Sequence, residues 1–193
     1  MSLPRCHLAI DLETLATTPD ATILSIGAVA ICAETGAKRK FYSVVSIDSQ
    51  TESFRSASTA KWWSEQSGAA REVLDLATGG NAPSISDVLD QLTVWVGELG
   101  QTHTVYPWGN GATFDITILE YAYHKYGGSA PWNFRNVRDM RTLYDITLRF
   151  GINARDNIER VGTHHNALDD AQFQAAIVVE SLKQLDEYAE RCK

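Results

Sequence analysis

The chain predicts an α/β fold, with a mixed five-stranded sheet flanked by helices. Three observations carry this: apolar, β-branched runs dominate up to residue 46, strand-like and helix-like stretches alternate beyond residue 100, and a long amphipathic pattern closes the chain. Residues 6 to 11 and 22 to 33 read as strands, the second containing TILSIGAVAIC with a single glycine, as a central strand would. Residues 39 to 46 read as a third. The short polar link between the first two, and the small turn from Glu34 to Ala37, predict a three-stranded antiparallel meander.

Ser58 or Thr59 is placed to cap a helix over Lys61 to Gln66, and Ala69 to Ala77 continues it or begins another. Thr78 to Pro83 is a break. Ser84 or Ser86 then caps a helix through Leu99, with Val88, Leu89, Leu92, Trp95, Val96 and Leu99 at helical intervals. Thr104 to Trp108 reads as a strand running into the turn Gly109, Asn110, Gly111. A helix is expected from about residue 113 to 126, stopped by Gly127 to Pro131. A fifth strand near Asn136 to Arg138 precedes a helix from about Asp139 to Phe150. Residues 151 to 163 read as loop, and Ala167 to Glu190 as the longest helix.

At 193 residues, with 44% apolar and 21% charged content, the chain suits one soluble domain over 1–193. No window is apolar enough for a membrane span and no signal-peptide pattern opens the chain, so a cytoplasmic protein without membrane contact is expected. Cys6, Cys32 and Cys192 are an odd set without metal-ligand spacing, which suits reduced thiols. The net charge of -7 at first argues against a nucleic-acid partner. Carboxylates that hold cations escape that argument, because bound ions neutralise them. The basic runs Lys38, Arg39, Lys40 and Arg135, Arg138, Arg141 read as solvated faces.

Four acids stand apart from this background. Asp11 and Glu13 alternate around Leu12 in a strand and so project on one side, while Leu12 points to the other. Following a core strand, two such carboxylates are costly unless something positive compensates them. Asp115 falls at the start of a helix, behind glycines that permit close backbone approach and beside Phe114, whose face suits a sugar or base. In HHNALDDA both His164 with Asp169 and His165 with Asp170 share a five-residue spacing. At about 100° per residue, Asp170 lies roughly 110° and Asp169 roughly 150° from the centre of the stripe Leu168, Ala171, Ala175, Val178, Leu182, Leu185. His165 with Asp170 is therefore favoured, leaving His164 open. Carboxylates gathered from distant segments are what a site for two divalent cations requires.

At these residues the chain resembles the histidine-bearing (DEDDh) branch of the DEDD superfamily of 3′-5′ exonucleases, which has the ribonuclease H-like fold. The resemblance runs from Cys6 to Glu180. It consists of Asp11, Glu13 and Thr14, then Asn110 to Asp115 as Asn-x-x-x-Phe-Asp, then His165 to Asp170 as His-x-x-x-x-Asp. The WW pair, PWNFRNVRDMRTL and HHNALDDA are similar to a bacterial and phage group of short exonucleases that includes a mycobacterial exoribonuclease. Leu15 departs from the pattern, since many relatives carry glycine there.

The resemblance implies a metal-dependent exonuclease acting on 3′ ends of DNA or RNA, with nucleoside 5′-monophosphates as products. Asp11, Glu13, Asp115 and Asp170 would hold two Mg²⁺ or Mn²⁺ ions, which suit hard oxygen ligands, and His165 would serve as general base. Substrate contacts are expected from Leu12, Thr14, Leu15, Asn110, Phe114 and Trp62, with Trp62 or Trp63 stacking on bases and at least one of the two in the core. A homodimer is compatible with the resemblance. Two rival readings use the same fold: a catalytically silent module binding nucleic-acid ends or a protein, and an endonuclease that does not need His165.

Overall fold

A computed structural model describes residues 3–66 and 68–193. Its sheet has five strands in the order β3-β2-β1-β4-β5. The strands are β1 (Arg5–Thr14), β2 (Ile23–Cys32), β3 (Lys38–Val44), β4 (Thr104–Gly109) and β5 (Arg138–Asp139). β1, β2 and β3 form the expected antiparallel meander, and β4 and β5 extend the sheet in parallel from β1.

β1 and β2 lie inside the sheet because their side chains can be buried on both faces. Leu8, Ile10 and Leu12 enter a core with Val88, Leu89 and Leu92 of α3 (Ile85–Gly100) and Ile116 and Leu119 of α4 (Asp115–Ala122). Ala9 faces the other way, toward Met140 and Leu143 of α5 (Met140–Arg149) and Ala171, Ala175 and Val178 of α6 (Ala167–Arg191). Asp11 and Glu13 continue the series of Ala9 and so emerge on the α6 side. α1 (Ala57–Ser64) and α2 (Ala69–Thr78) close a third cluster around Leu15, Leu24 and Trp63.

One glycine sets how the layers meet. A Cβ built on Gly27 of β2 would stand 2.1 Å from the main-chain carbon and oxygen of Ala167. The first turn of α6 thus rests on bare backbone at the residue that pairs with Asp11 in the β1–β2 register. That contact carries Asp170 to the end of the sheet where Asp11 and Glu13 emerge.

Several boundaries differ from the sequence expectation. α1 is capped by Ser56, which accepts the Thr59 N–H, and not by Ser58 or Thr59. The cause is tertiary: the Ser56 N–H donates to the Leu15 carbonyl at 2.8 Å and fixes the chain extended just before the helix. α3 starts behind Ser84, one of the two serines expected to cap it. α4 begins at Asp115 because the Phe114 N–H closes a turn on the Gly111 carbonyl at 2.7 Å, and it widens into a π turn over Tyr123–Gly127. The loop 151–163 contains a short 3-10 turn at Ala154–Asn157. Among the described residues no helix is long and apolar enough to cross a membrane.

Candidate active site

Strand alternation brings Asp11 and Glu13 to one face, and α6 brings Asp170 to meet them. One ligand oxygen from each of these three carboxylates lies within 4.8 Å of the others. Asp115, at the first position of α4, joins the same pocket, where its Oδ1 accepts the Leu12 N–H at 3.2 Å. The sequence-predicted residues Leu12, Thr14, Trp62, Asn110, Phe114 and His165 also line this pocket of about 280 Å³. Leu15 does not. Its side chain is in the third core cluster, and its backbone is taken up by Thr22 and Ser56. A larger cavity, of about 920 Å³, lies between the start of β1 and the end of α6, far along the strand from these acids. Volume alone does not locate the chemistry here.

Crowding the acids together has an electrostatic consequence. Burial, then the charge of Asp115, pushes the Glu13 carboxyl up to about 8. Burial raises Asp115 to about 7, against hydrogen bonds from the backbone of Leu12 and Asn110 and the nearby Arg141 charge. Asp11 is raised well above the ordinary range by burial and by Asp115 and Glu13, opposed by Gln174 and Arg160. Groups this reluctant to ionise become strong ligands once a cation compensates their charge. All the donors are hard oxygens, and three segments supply them, so the residues fit a divalent ion of the Mg²⁺ or Mn²⁺ type.

The two candidate histidines are placed differently. His165 lines the pocket and its backbone N–H donates to Asp170 Oδ2 at 3.1 Å. Asp169 is bound to the preceding loop instead, accepting the Thr163 N–H at 2.8 Å. His164 is not among the pocket residues. His165 holds a positive φ of 62°, the one such non-glycine among the described residues. A left-handed backbone costs about 1–3 kcal/mol and persists where the surroundings enforce it, often at working sites.

The tryptophan pair divides as adjacent helical residues should. Trp63 is buried, and its indole N–H donates to the Thr14 carbonyl at 2.8 Å, tying α1 to the end of β1. Trp62 is 38% exposed at the pocket rim, edge-on to His165 at 4.9 Å between ring centroids.

Sequence reasoning missed two residues. Gln174 donates its amide to Asp11 Oδ1 at 2.7 Å, and its position four residues after Asp170 on one helical face was the available signal. Arg160 pairs with the Asp170 carboxylate and lies over Phe173. It comes from an irregular loop, for which no periodicity exists to read.

A mixed sheet of this order, with carboxylates converging at the end of its central strand, defines a class: the ribonuclease H-like fold. Solved structures agree on the fold. The chain is similar to cell-death related nuclease 4 (CRN-4), at 16% identity and a TM-score of 0.68, over 93% of this chain and 64% of that one. It is similar to a full-length 3′-exonuclease at 15% identity and a TM-score of 0.63, covering 95% and 62%. It is also similar to E. coli ExoI, solved as a metal-free ssDNA complex, at 13% identity and a TM-score of 0.59, covering 95% and 41%. The chain thus spans less than two thirds of each of these proteins. No curated protein sequence matches it. Residues 6–182 match the profile of the Rv2179c-like 3′-5′ exoribonuclease domain, and the chain belongs to that family.

Proposed function

We propose that this protein is a metal-dependent 3′-5′ exonuclease that shortens RNA and releases nucleoside 5′-monophosphates. The observation that carries the reading is the convergence of Asp11, Glu13 and Asp170 within 4.8 Å from segments far apart in the chain. The family's exoribonuclease description favours RNA over DNA, while the ExoI complex gives precedent for a single strand on this fold. Three free cysteines suit a reducing compartment such as the cytoplasm.

Asp11, Glu13, Asp115 and Asp170 would hold two Mg²⁺ or Mn²⁺ ions, which when bound activate a water and stabilise charge on the departing 3′ oxygen. The protein's own groups orient the rest. Gln174 holds one oxygen of Asp11, and the Leu12 N–H holds one of Asp115, so each carboxylate presents its other oxygen in a fixed direction. Burial, then the charges of His164 and Arg160, keep His165 below the usual histidine range. A neutral imidazole nitrogen is therefore available near pH 7 to take the proton from the attacking water. Trp62, at the rim, offers a ring on which a terminal base can stack.

His165→Ala is expected to lower kcat by about 10²- to 10⁴-fold. Thermal stabilisation by Mn²⁺ should survive, because His165 is a base in this account and not a ligand; its loss would reassign the residue. Trp62→Ala should weaken oligonucleotide binding by about 1–3 kcal/mol with little change in Tm. Unchanged affinity would remove the stacking role.

The function itself is tested with end-labelled and circular single strands, as matched RNA and DNA, in Mn²⁺. Monophosphate release from free 3′ ends alone, faster on RNA, is expected. Cutting of the circle would make the protein an endonuclease, and intact substrates would make it a silent binding module.

A further inference from the structure

Among the described residues lining the acidic pocket, Arg141 is the one arginine or lysine. The sequence pattern had grouped it with Arg135 and Arg138 on a solvated face, but those two lie against the rings of Phe134 and Tyr106. Arg141 is exposed in the first turn of α5, and among the described residues its guanidinium has no hydrogen-bond or ion-pair partner. Its route to the pocket crosses Gly111. A Cβ added there would lie 3.1 Å from Arg141 Cζ, and the glycine's φ of 98° already disfavours any side chain. The bare turn leaves space for the guanidinium.

The base of Arg141 is fixed. Asp139 caps α5 by accepting the Thr142 N–H at 2.8 Å, while its other oxygen accepts the Ala112 N–H at 2.7 Å. One carboxylate thereby ties the turn that Arg141 crosses to the helix that carries it. The acids nearby are already engaged: Asp139 by these donors, Asp115 by the backbone of Leu12. An unpaired planar fork in the path of a polyanion is suited to a phosphate, which it can bind through two parallel hydrogen bonds.

The carboxylate-held ions would serve the scissile phosphate, but a nucleic-acid strand carries another charge at the next nucleotide. We propose that Arg141 binds that next phosphate, on the 5′ side of the penultimate nucleoside, and so selects chains over minimal substrates. This rests on the exonuclease reading above.

The test uses two dinucleotides that differ only in a 5′-terminal phosphate, with the wild type, Arg141→Ala and Arg141→Lys in Mn²⁺. The readout is the ratio of kcat/KM for the phosphorylated to the unphosphorylated dinucleotide. The wild type should favour the phosphorylated form by about tenfold or more, as a charge-assisted hydrogen bond gives. Arg141→Ala should bring the ratio close to one, with Arg141→Lys between. Binding of a longer single strand in Ca²⁺ should also lose about 0.7 from its log–log salt slope in Arg141→Ala. A ratio that is the same in the wild type and Arg141→Ala overturns the proposal. An equal fall on both dinucleotides also overturns it, since the residue would then act on Asp115 through its charge. If the wild type cleaves neither dinucleotide nor any longer strand, the exonuclease reading falls and this assignment falls with it.

Discussion

Glu13→Gln should cripple phosphodiester hydrolysis, by about a hundredfold or more, and yet make the metal-free protein more stable. The two effects have one origin. Glu13 is buried beside Asp115 and its carboxyl is raised to about 8, so without cations the folded protein must either keep that carboxyl protonated or hold a charge in a place that resists it. A folded-state pKa above the unfolded value contributes stability that is fully present below about 4.5 and lost as pH rises through about 8. The wild type without metal should therefore weaken over that window more than Glu13→Gln does. At pH 8 the variant's Tm should be higher by on the order of 5 °C. Mn²⁺ should reverse the order, because only the intact cluster gains the binding free energy of the ion. Hydrolysis should fall at least about a hundredfold, since even outer-shell partners of a metal site are worth that much. Melting curves with and without Mn²⁺ at pH 6 and pH 8 read all of this; a destabilised metal-free variant would show that the acids are not in conflict.

Gly27→Ala should be among the most damaging single-methyl additions in the molecule. The new Cβ would meet the Ala167 backbone at 2.1 Å, and backbone cannot swing aside as a side chain can. Overpacking of this kind costs about 3 kcal/mol, placing the loss of Tm at roughly 6–12 °C for a chain of this size. Relief requires α6 to lift from β2, and α6 carries both Asp170 and Gln174. Mn²⁺ affinity should therefore fall together with Tm. An unchanged Tm would mean that α6 does not rest on the sheet at this point.

These two residues mark where the sequence is readable and where it is not. Asp11 and Glu13 are legible because alternation in a strand is a local rule, and Asp170 over Asp169 because the apolar stripe of a long helix gives an angular reference. The meander, and a helix capped at Ser84 or Ser86, follow from patterns of the same short range. Gly27 was visible only as a glycine in a central strand; that its missing side chain seats another element depends on a contact 140 residues away in the chain. The Ser56 cap depends on a hydrogen bond to Leu15, and Arg160 on a loop without period. The expectation that Leu15 contacts substrate rests on the resemblance alone, at a position where many relatives carry glycine; β1 shifts register between Glu13 and Thr14, and Leu15 packs in the core around Trp63. Gln174 was within reach of helical spacing, yet an uncharged amide gives no sign from sequence that a carboxylate waits for it.

The proposed activity requires separate segments of the chain to form one cation-binding centre. Crystals grown with Mn²⁺, measured for anomalous scattering, address this directly. The prediction is a pair of peaks in contact with Asp11, Glu13, Asp115 and Asp170, with Arg160 displaced from Asp170 or sharing it. Peaks elsewhere, or none among these four side chains at saturating Mn²⁺, would contradict the account.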